Sequence, residues 1–272
     1  MKNKVVLITG ASSGIGYQTA KVLSRNGYKV YGGARRVEKI KPLKKFGVRP
    51  LKLDVTQSES VKNAINTIIA KEHSIYGLVN NAGYGSYGAI ENVSISEAKK
   101  QMEVNVFGMI RIIKMVLPYM RKEHSGKIIN ISSIGGRVVS YFGGWYHASK
   151  YSVEALSDAI RMETKPFGIK VSLIEPGGIK TNWGHIAANH LIKSSQNTPY
   201  QEAALKAGKG MDKQYNSKML SNPMVVSKRI LKAMNSNHPR TRYVMGFGSK
   251  SGILLHSILP TPLFDFMMMH MS

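Results

Sequence analysis

Tyr146 and Lys150 stand four residues apart in the stretch GGWYHASKYSVEALSDAIRMET, whose pattern predicts a helix over 145–166. At that spacing a phenol and an ammonium share one helical face. A free phenol has a pKa near about 10 and exchanges protons poorly at neutral pH. Bringing it to about 7 takes roughly 4 kcal/mol of selective stabilisation of the phenolate. A cation about 4 Å away supplies about that much at an effective dielectric near 20, but about 1 kcal/mol in bulk water. The pair is therefore either surface decoration or, inside a sheltered cleft, a proton-transferring acid with its tuning cation.

Two other side chains fit the second reading. Ser133 lies 13 residues before Tyr146, directly after an apolar run. Its hydroxyl can hold a substrate oxygen beside the phenol, or it is a turn residue. Asn105 sits among apolar residues in MEVNVFGMI. A buried amide there must find partners. It bends the helix, holds a water next to Lys150, or is a satisfied core amide.

A glycine-rich turn adds a second chemistry. In VVLITGASSGIG the glycines are Gly10, Gly14 and Gly16, with Ser12 and Ser13 between them. Backbone N–H groups at such a turn, followed by a helix N-terminus, suit a pyrophosphate; a plain tight turn uses the same residues. The segment GGARR has no acidic residue to take a ribose 2′-hydroxyl, and offers Arg35 and Arg36 instead. A guanidinium forks onto a 2′-phosphate, which points to NADP(H) over NAD(H). Asp54 ends LKLD, where it either accepts from an adenine amino group or caps the following helix.

The elements that must position these groups alternate along the chain. Strands are expected at 4–9, 28–33, 49–55, 75–80, 126–132, 169–175 and 242–246. Helices are expected at 14–27, 37–46, 58–72, from Ser94 or Ser96 to about 122, at 145–166 and at 223–235. Near-continuously apolar strands alternating with helices predict an α/β fold, one doubly wound parallel sheet with helices on both faces. Residues 183–222 lose clear periodicity and are expected to form an irregular substrate lid carrying Trp183, His185, Leu191, Ile192 and Tyr200. The chain, 1–272, is expected to be a single domain with lid and tail over 183–272. The glycine-rich segments after four of the strands would gather along one rim, where such sheets bind ligands.

Composition narrows the class. Of 272 residues 43% are hydrophobic and none is cysteine, so no disulfide framework or thiolate metal site is available and no metal is expected. The N-terminal apolar run is too short for a signal-peptide core, and no stretch is long enough to span a membrane; a cytoplasmic protein is expected. With 39 Lys+Arg against 15 Asp+Glu, the formal charge is +24. Such a surface attracts polyanions or is simply solvated. No nucleic-acid module or aromatic–basic stripe is present, so no nucleic acid is expected as partner.

Taken together, TGASSGIG, LDV, NNAG, VNVFG, NISS, YHASK and PGGIKT resemble, in this order and spacing, the short-chain dehydrogenase/reductase superfamily over about residues 3–182. NNAGYG and IEPGGIKTNW are similar to the branch containing 17-beta-hydroxysteroid and retinol dehydrogenases and many bacterial oxidoreductases. The resemblance implies a Tyr146 general acid/base, Lys150 lowering its pKa and binding the nicotinamide ribose, Ser133 orienting the carbonyl and Asn105 holding a relay water. It also implies cofactor contacts from Gly10, Ser12, Ser13, Gly14 and Ile15 at the phosphates and ribose. Asp54 and Val55 would flank adenine, with Asn81, Ala82 and Gly83 at the middle. Pro176, Gly177, Ile179 and Thr181 would meet the nicotinamide end.

The expected activity is NADP(H)-dependent interconversion of a carbonyl and an alcohol on a small, fairly apolar molecule. Tyr84, Tyr87, Tyr141, Phe142, Trp145 and Trp183 are candidates to edge its pocket. The rivals are reduction of a 3-oxoacyl thioester and an NADPH-sensing or nucleic-acid-binding regulator. A homodimer or homotetramer is expected by resemblance. The apolar, Met-rich tail LLHSILPTPLFDFMMMHMS reads as pocket rim or dimer contact ahead of membrane-surface contact, because Pro260 and Pro262 interrupt any long helix.

Overall fold

Val5, Val6, Leu7 and Ile8 point alternately to opposite sides, as strand residues do, and all four are buried. Such a strand belongs in the middle of a sheet covered on both faces. The computed structural model, which describes residues 4–270, places it there. β1 (Val5–Thr9) lies between β2 (Lys29–Ala34) and β4 (Gly77–Asn80). With β3 (Arg49–Lys52), β5 (Gly126–Ile131), β6 (Ile169–Pro176) and β7 (Arg242–Met245), the strands form one seven-stranded sheet. The order is β3-β2-β1-β4-β5-β6-β7, and every pairing is parallel.

Helices cover both faces. α1 (Gly14–Arg25) and α8 (Pro223–Asn235) pack on the side of Val6 and Ile8 through Leu23, Val226 and Ile230. α2 (Ser58–Glu72), α4 (Gly108–Lys122) and α5 (Gly144–Thr164) pack on the side of Val5 and Leu7 through Ile65, Ile112 and Val153. Fully burying one such side chain contributes roughly 1.5–3 kcal/mol. Lys127, at the start of β5, is buried as well. Its Nζ donates to the carbonyls of Ala233 (3.0 Å) and Met234 (2.9 Å) and to that of Ser236, satisfying the carbonyl end of α8. Burial, with Lys4 and Lys170 nearby, pushes its pKa down to about 8.

The chain builds outward from β1 to β3, then crosses back to β4 on the other side. The connections leaving β1 and β4 therefore part and open a cleft at the carboxyl edge.

Four expectations change. Residues 37–46 form two short 3₁₀ stretches, Val37–Lys39 and Lys41–Phe46, because Pro42 starts the second. The third strand stops at Lys52, and Asp54 already belongs to a turn. The lid is ordered helix: α6 (Trp183–Ser194) and α7 (Gln201–Asn216) pack against each other. Small residues stand at their contact, Gly184 under the Tyr215 ring and Gly208 against Ile192 and the Ala188 carbonyl, so the sequence shows no strong apolar stripe. The expected single helix up to about 122 is α3 (Ile95–Met102), capped by Ser94, then a π-helical turn over Glu103–Phe107, then α4. The tail forms α9 (Ser249–Ile258) and α10 (Thr261–His270), separated at Pro260; residues 271–272 of it lie outside the described residues.

Candidate active site

β1 ends at Thr9 and the chain turns into α1 through Gly10–Ser13. A Cβ on Gly16 would sit 2.4 Å from the carbonyl oxygen of Gly10, so this helix start can close onto the strand end only with glycine there. Gly14 has φ +53, and a Cβ there would approach Thr181 Cγ2 to 3.3 Å. The turn is held from the β4 side. Asn81 Nδ2 donates to the carbonyls of Thr9 (3.0 Å) and Gly10 (3.2 Å), and Thr9 Oγ1 accepts from the backbone N–H groups of Asn81 (3.0 Å) and Ala82 (2.9 Å). Thr9 is a fastener that its sequence context, one Thr at a strand end, did not signal.

Across the cleft, α5 carries Tyr146 and Lys150, 7% and 8% exposed. Lys150 Nζ donates to the carbonyl of Ile131 at 2.9 Å and lies 5.9 Å from the centre of the Tyr146 ring. Ser133 Oγ donates to the Pro176 carbonyl at 3.4 Å and lines the same cavity as the phenol. Ser133 is itself fixed, accepting from Gly135 N–H at 3.0 Å. Burial drives the phenol's pKa well above its ordinary value, with Tyr87 adding to the rise and Ser133 opposing it. Burial also pushes Lys150 down to about 8, against the charge of Glu154 one turn later. The protein alone thus keeps the phenol protonated rather than bringing it near 7.

His147, between the two, locks this helix start. Nδ1 pairs with the Gly135 carbonyl at 2.9 Å, while Nε2 accepts from Ser140 N–H at 3.0 Å and meets Ser140 Oγ at 2.9 Å. Nδ1 therefore carries the proton, and burial lowers the ring's pKa.

Asn105 lies in the π turn, a feature that often marks functional sites. Its Nδ2 donates to the Tyr84 carbonyl (2.9 Å) and Ser149 Oγ (3.0 Å), and its Oδ1 accepts from Tyr84 N–H (3.1 Å). The side chain is satisfied and ties the segment after β4 to α5. A Cβ on Gly83 would lie 3.0 Å from Asn105 Oδ1 and 3.9 Å from Lys150 Nζ, so the three meet at one point.

Every predicted cofactor contact, from Gly10 and Ser12 through Arg35, Asp54 and Asn81 to Thr181, lines one cavity of about 1310 Å³, together with Ser133, Tyr146 and Lys150. Asn105 stands behind its wall, beside a much smaller void. The volume exceeds the roughly 300–1,000 Å³ of ordinary small-ligand pockets. Arg35 and Arg36 are exposed at one end of it. Asp54 Oδ1 accepts from Thr56 N–H (3.0 Å) and Thr56 Oγ1 (2.8 Å), holding the turn before α2 while the residue still faces the cavity.

The other end is aromatic. Tyr84, Tyr87, Tyr141 and Trp183 line it as expected, whereas Phe142 is buried against Tyr141 and Tyr200, and Trp145 does not line it. Of the other lid residues, Leu191 faces the cavity, Tyr200 is tied to Glu91 (2.9 Å), His185 pairs with Asp212 (2.8 Å) and Ile192 packs at Gly208. Met211 and Tyr215 from α7 and His190 from α6, which the sequence did not single out, complete the wall, and Met267 and Met268 of α10 line it too, where the Met-rich tail was read as pocket rim.

This parallel sheet, with its glycine turn and buried Tyr–Lys pair at the carboxyl edge, defines a class of oxidoreductase. Residues 4–190 match the family model of the short chain dehydrogenases, and the chain belongs to that family. It is 44% identical over 217 residues to a 3-ketodihydrosphingosine reductase of Bacteroides thetaiotaomicron, covering 79% of this chain and 78% of that protein. It is 34% identical over 284 residues to 17-beta-hydroxysteroid dehydrogenase type 6 of Bos taurus, covering 98% of this chain and 88% of that one. Its fold superposes on the closed form of a serine dehydrogenase complexed with NADP⁺ with a TM-score of 0.76 and 26% identity, over 89% of this chain and 94% of that one.

Proposed function

We propose that the chain interconverts a carbonyl and an alcohol on a fairly apolar substrate, using NADP(H), with Tyr146 as general acid/base. The observation that carries this reading is the continuity of one cavity from the arginine pair to the Tyr146 phenol. Its volume suits a dinucleotide and a second molecule together. Arg35 and Arg36, with no carboxylate beside them in GGARR, favour a 2′-phosphate.

When bound, NADP(H) supplies or takes up the hydride. The residues do the rest. Backbone N–H groups of the Gly10–Ile15 turn and the start of α1 hold phosphate. In reduction, charge builds on the substrate oxygen; the Ser133 hydroxyl and the Tyr146 phenol donate hydrogen bonds to it, and Tyr146 Oη gives up its proton. A protonated Lys150 stabilises the phenolate that remains. In oxidation the phenolate removes the alcohol proton. Tyr84 through the lid residues exclude water, so the lysine charge acts at low dielectric. Asn105 positions the Gly83–Tyr84 backbone beside Lys150.

The aromatic end supports a bulky apolar substrate, and the two relatives named above, by their own names, act on 3-ketodihydrosphingosine and on a 17-beta-hydroxysteroid. The test is consumption of NADPH, followed by loss of its absorbance, with a panel of long-chain, steroidal and thioester-linked ketones. Turnover of free apolar ketones bears the reading out. Turnover restricted to carrier-linked thioesters moves the substrate to the 3-oxoacyl class. NADPH binding with no turnover of any panel member sinks the oxidoreductase assignment of this site.

A further inference from the structure

α9 and α10 have two apolar sides. On one, Leu255, Met267 and Met268 line the cavity, and Phe264 is buried. On the other, Leu254, Ile258, Leu263, Phe266 and Met269 are exposed, each by more than half. Single exposed apolar residues are ordinary; five within two consecutive short helices form a patch that calls for a partner.

The surroundings indicate which partner. Gly210, Met211 and Gln214 of α7 line the same cavity. Beside them on α7, Lys206, Lys209 and Lys213 recur at i, i+3 and i+7 and are all exposed. None of the three pairs with a carboxylate among the described residues; the nearby Asp212 is taken by His185 at 2.8 Å. Lys180 lines the cavity and Lys250 stands exposed at the start of α9. Asp265 is the only acid in α9 and α10. No helix among the described residues is long and apolar enough to cross a membrane.

We infer that α9–α10 and the α7 lysine stripe seat this protein peripherally on an anionic lipid surface, with the cavity mouth turned toward the lipid. Apolar side chains that enter the headgroup layer, ringed by lysines that meet lipid phosphates, are what an interfacial helix needs. A second copy of the chain is the weaker fit, since two surfaces drawn from chains of formal charge +24 repel. The docking stands independently of the proposed oxidoreduction. If that reading also holds, an apolar ketone dissolved in the bilayer reaches the cavity past Met267 without crossing water.

The experiment is co-sedimentation of the full chain with phosphatidylcholine vesicles and with vesicles of phosphatidylcholine and phosphatidylglycerol in equal parts. The expected result is binding to the mixed vesicles, weakened by salt. Two variants follow, Leu254→Ser/Phe266→Ser and Lys206→Ala/Lys209→Ala/Lys213→Ala, each with unchanged melting temperature and NADPH affinity. The lysine set is expected to lower vesicle affinity by about 100-fold, and the apolar pair by a comparable factor. Absence of binding overturns the inference. So does binding lost in the lysine variant but untouched by the apolar pair, which is charge adsorption alone. Self-association that disappears in the apolar variant, without vesicle binding, overturns it in favour of a second copy.

Discussion

The indole of Trp183 lies 4.9 Å from the Tyr146 ring, centre to centre, and is tilted by 55° to it. Trp183 opens α6, the first lid helix, while Tyr146 stands in the first turn of α5. The indole also packs on Gly85, where a Cβ would come within 2.3 Å of Cζ2. The lid therefore touches the Tyr146 ring directly. Trp183→Ala strips roughly 2 kcal/mol of apolar contact from this wall, so KM for an apolar ketone is expected to rise about tenfold or more. NADPH affinity, read by fluorescence titration, is expected to hold, because the predicted phosphate contacts lie at the other end. An unchanged KM removes Trp183 from the substrate wall.

Tyr146→Phe keeps the ring packing and removes one oxygen. Turnover is expected to fall by about 100- to 10,000-fold, with NADPH binding intact. Steady-state rates and cofactor titration on the same preparation check both halves. Wild-type turnover in this variant ends the general acid/base assignment.

Arg35 is the residue to which the proposed NADP(H) preference is assigned. A hydrogen bond to a charged partner contributes about 1.5–3 kcal/mol, so Arg35→Ser is expected to weaken NADPH about 10- to 100-fold and leave NADH unaffected. Calorimetric titration with both cofactors reads the difference. Equal loss for the two would assign Arg35 to general charge attraction.

The sheet was legible because Val5–Ile8 and the other central strands are apolar on both faces, and only a doubly covered parallel sheet satisfies that pattern. The rim was legible because glycine and the YHASK spacing are local signals. What escaped was assembled from distant segments. α6 and α7 meet at small residues, which carry little amphipathic signal. Thr9 and His147 act through backbone groups that become neighbours only in the fold. The π turn at Asn105 was visible only as a polar residue in the wrong place. The rise of the Tyr146 pKa in the protein alone comes from burial and from Tyr87, a product of tertiary packing that the YHASK spacing does not carry.

Asn105 offers a test of positioning. Truncating it leaves the half-buried N–H and C=O of Tyr84 without their amide partner. Each orphaned group costs about 1–3 kcal/mol. Asn105→Ala is expected to lower the melting temperature and to reduce kcat more than NADPH affinity, because the Gly83 backbone beside Lys150 loosens. Asn105→Asp keeps one acceptor and is expected to recover part of the stability. A variant with unaltered melting and rate would show that the π turn holds its shape without the amide.

Glu175 sits at the end of β6, immediately before Pro176 and Gly177, and is fully buried. Its Oε1 is 3.2 Å from Arg242 Nε and its Oε2 is 3.6 Å from Arg137 Nη1, neither with hydrogen-bond geometry. Burial, reinforced by Glu154, raises its pKa from 4.5 to about 7, with Arg137 and Arg242 opposing. The fold therefore favours the protonated acid, while the unfolded chain ionises above its ordinary value. Between about pH 5 and pH 7 the folded state binds more protons, so stability falls as pH rises, by up to about 3 kcal/mol from this one group. Glu175→Gln keeps the shape and removes the titration. Urea denaturation on either side of that window is expected to show the variant gaining stability over the wild type as pH increases, and comparing the two cancels groups they share, His147 included. Parallel pH profiles for the two proteins would mean that Arg137 and Arg242 already hold Glu175 ionised.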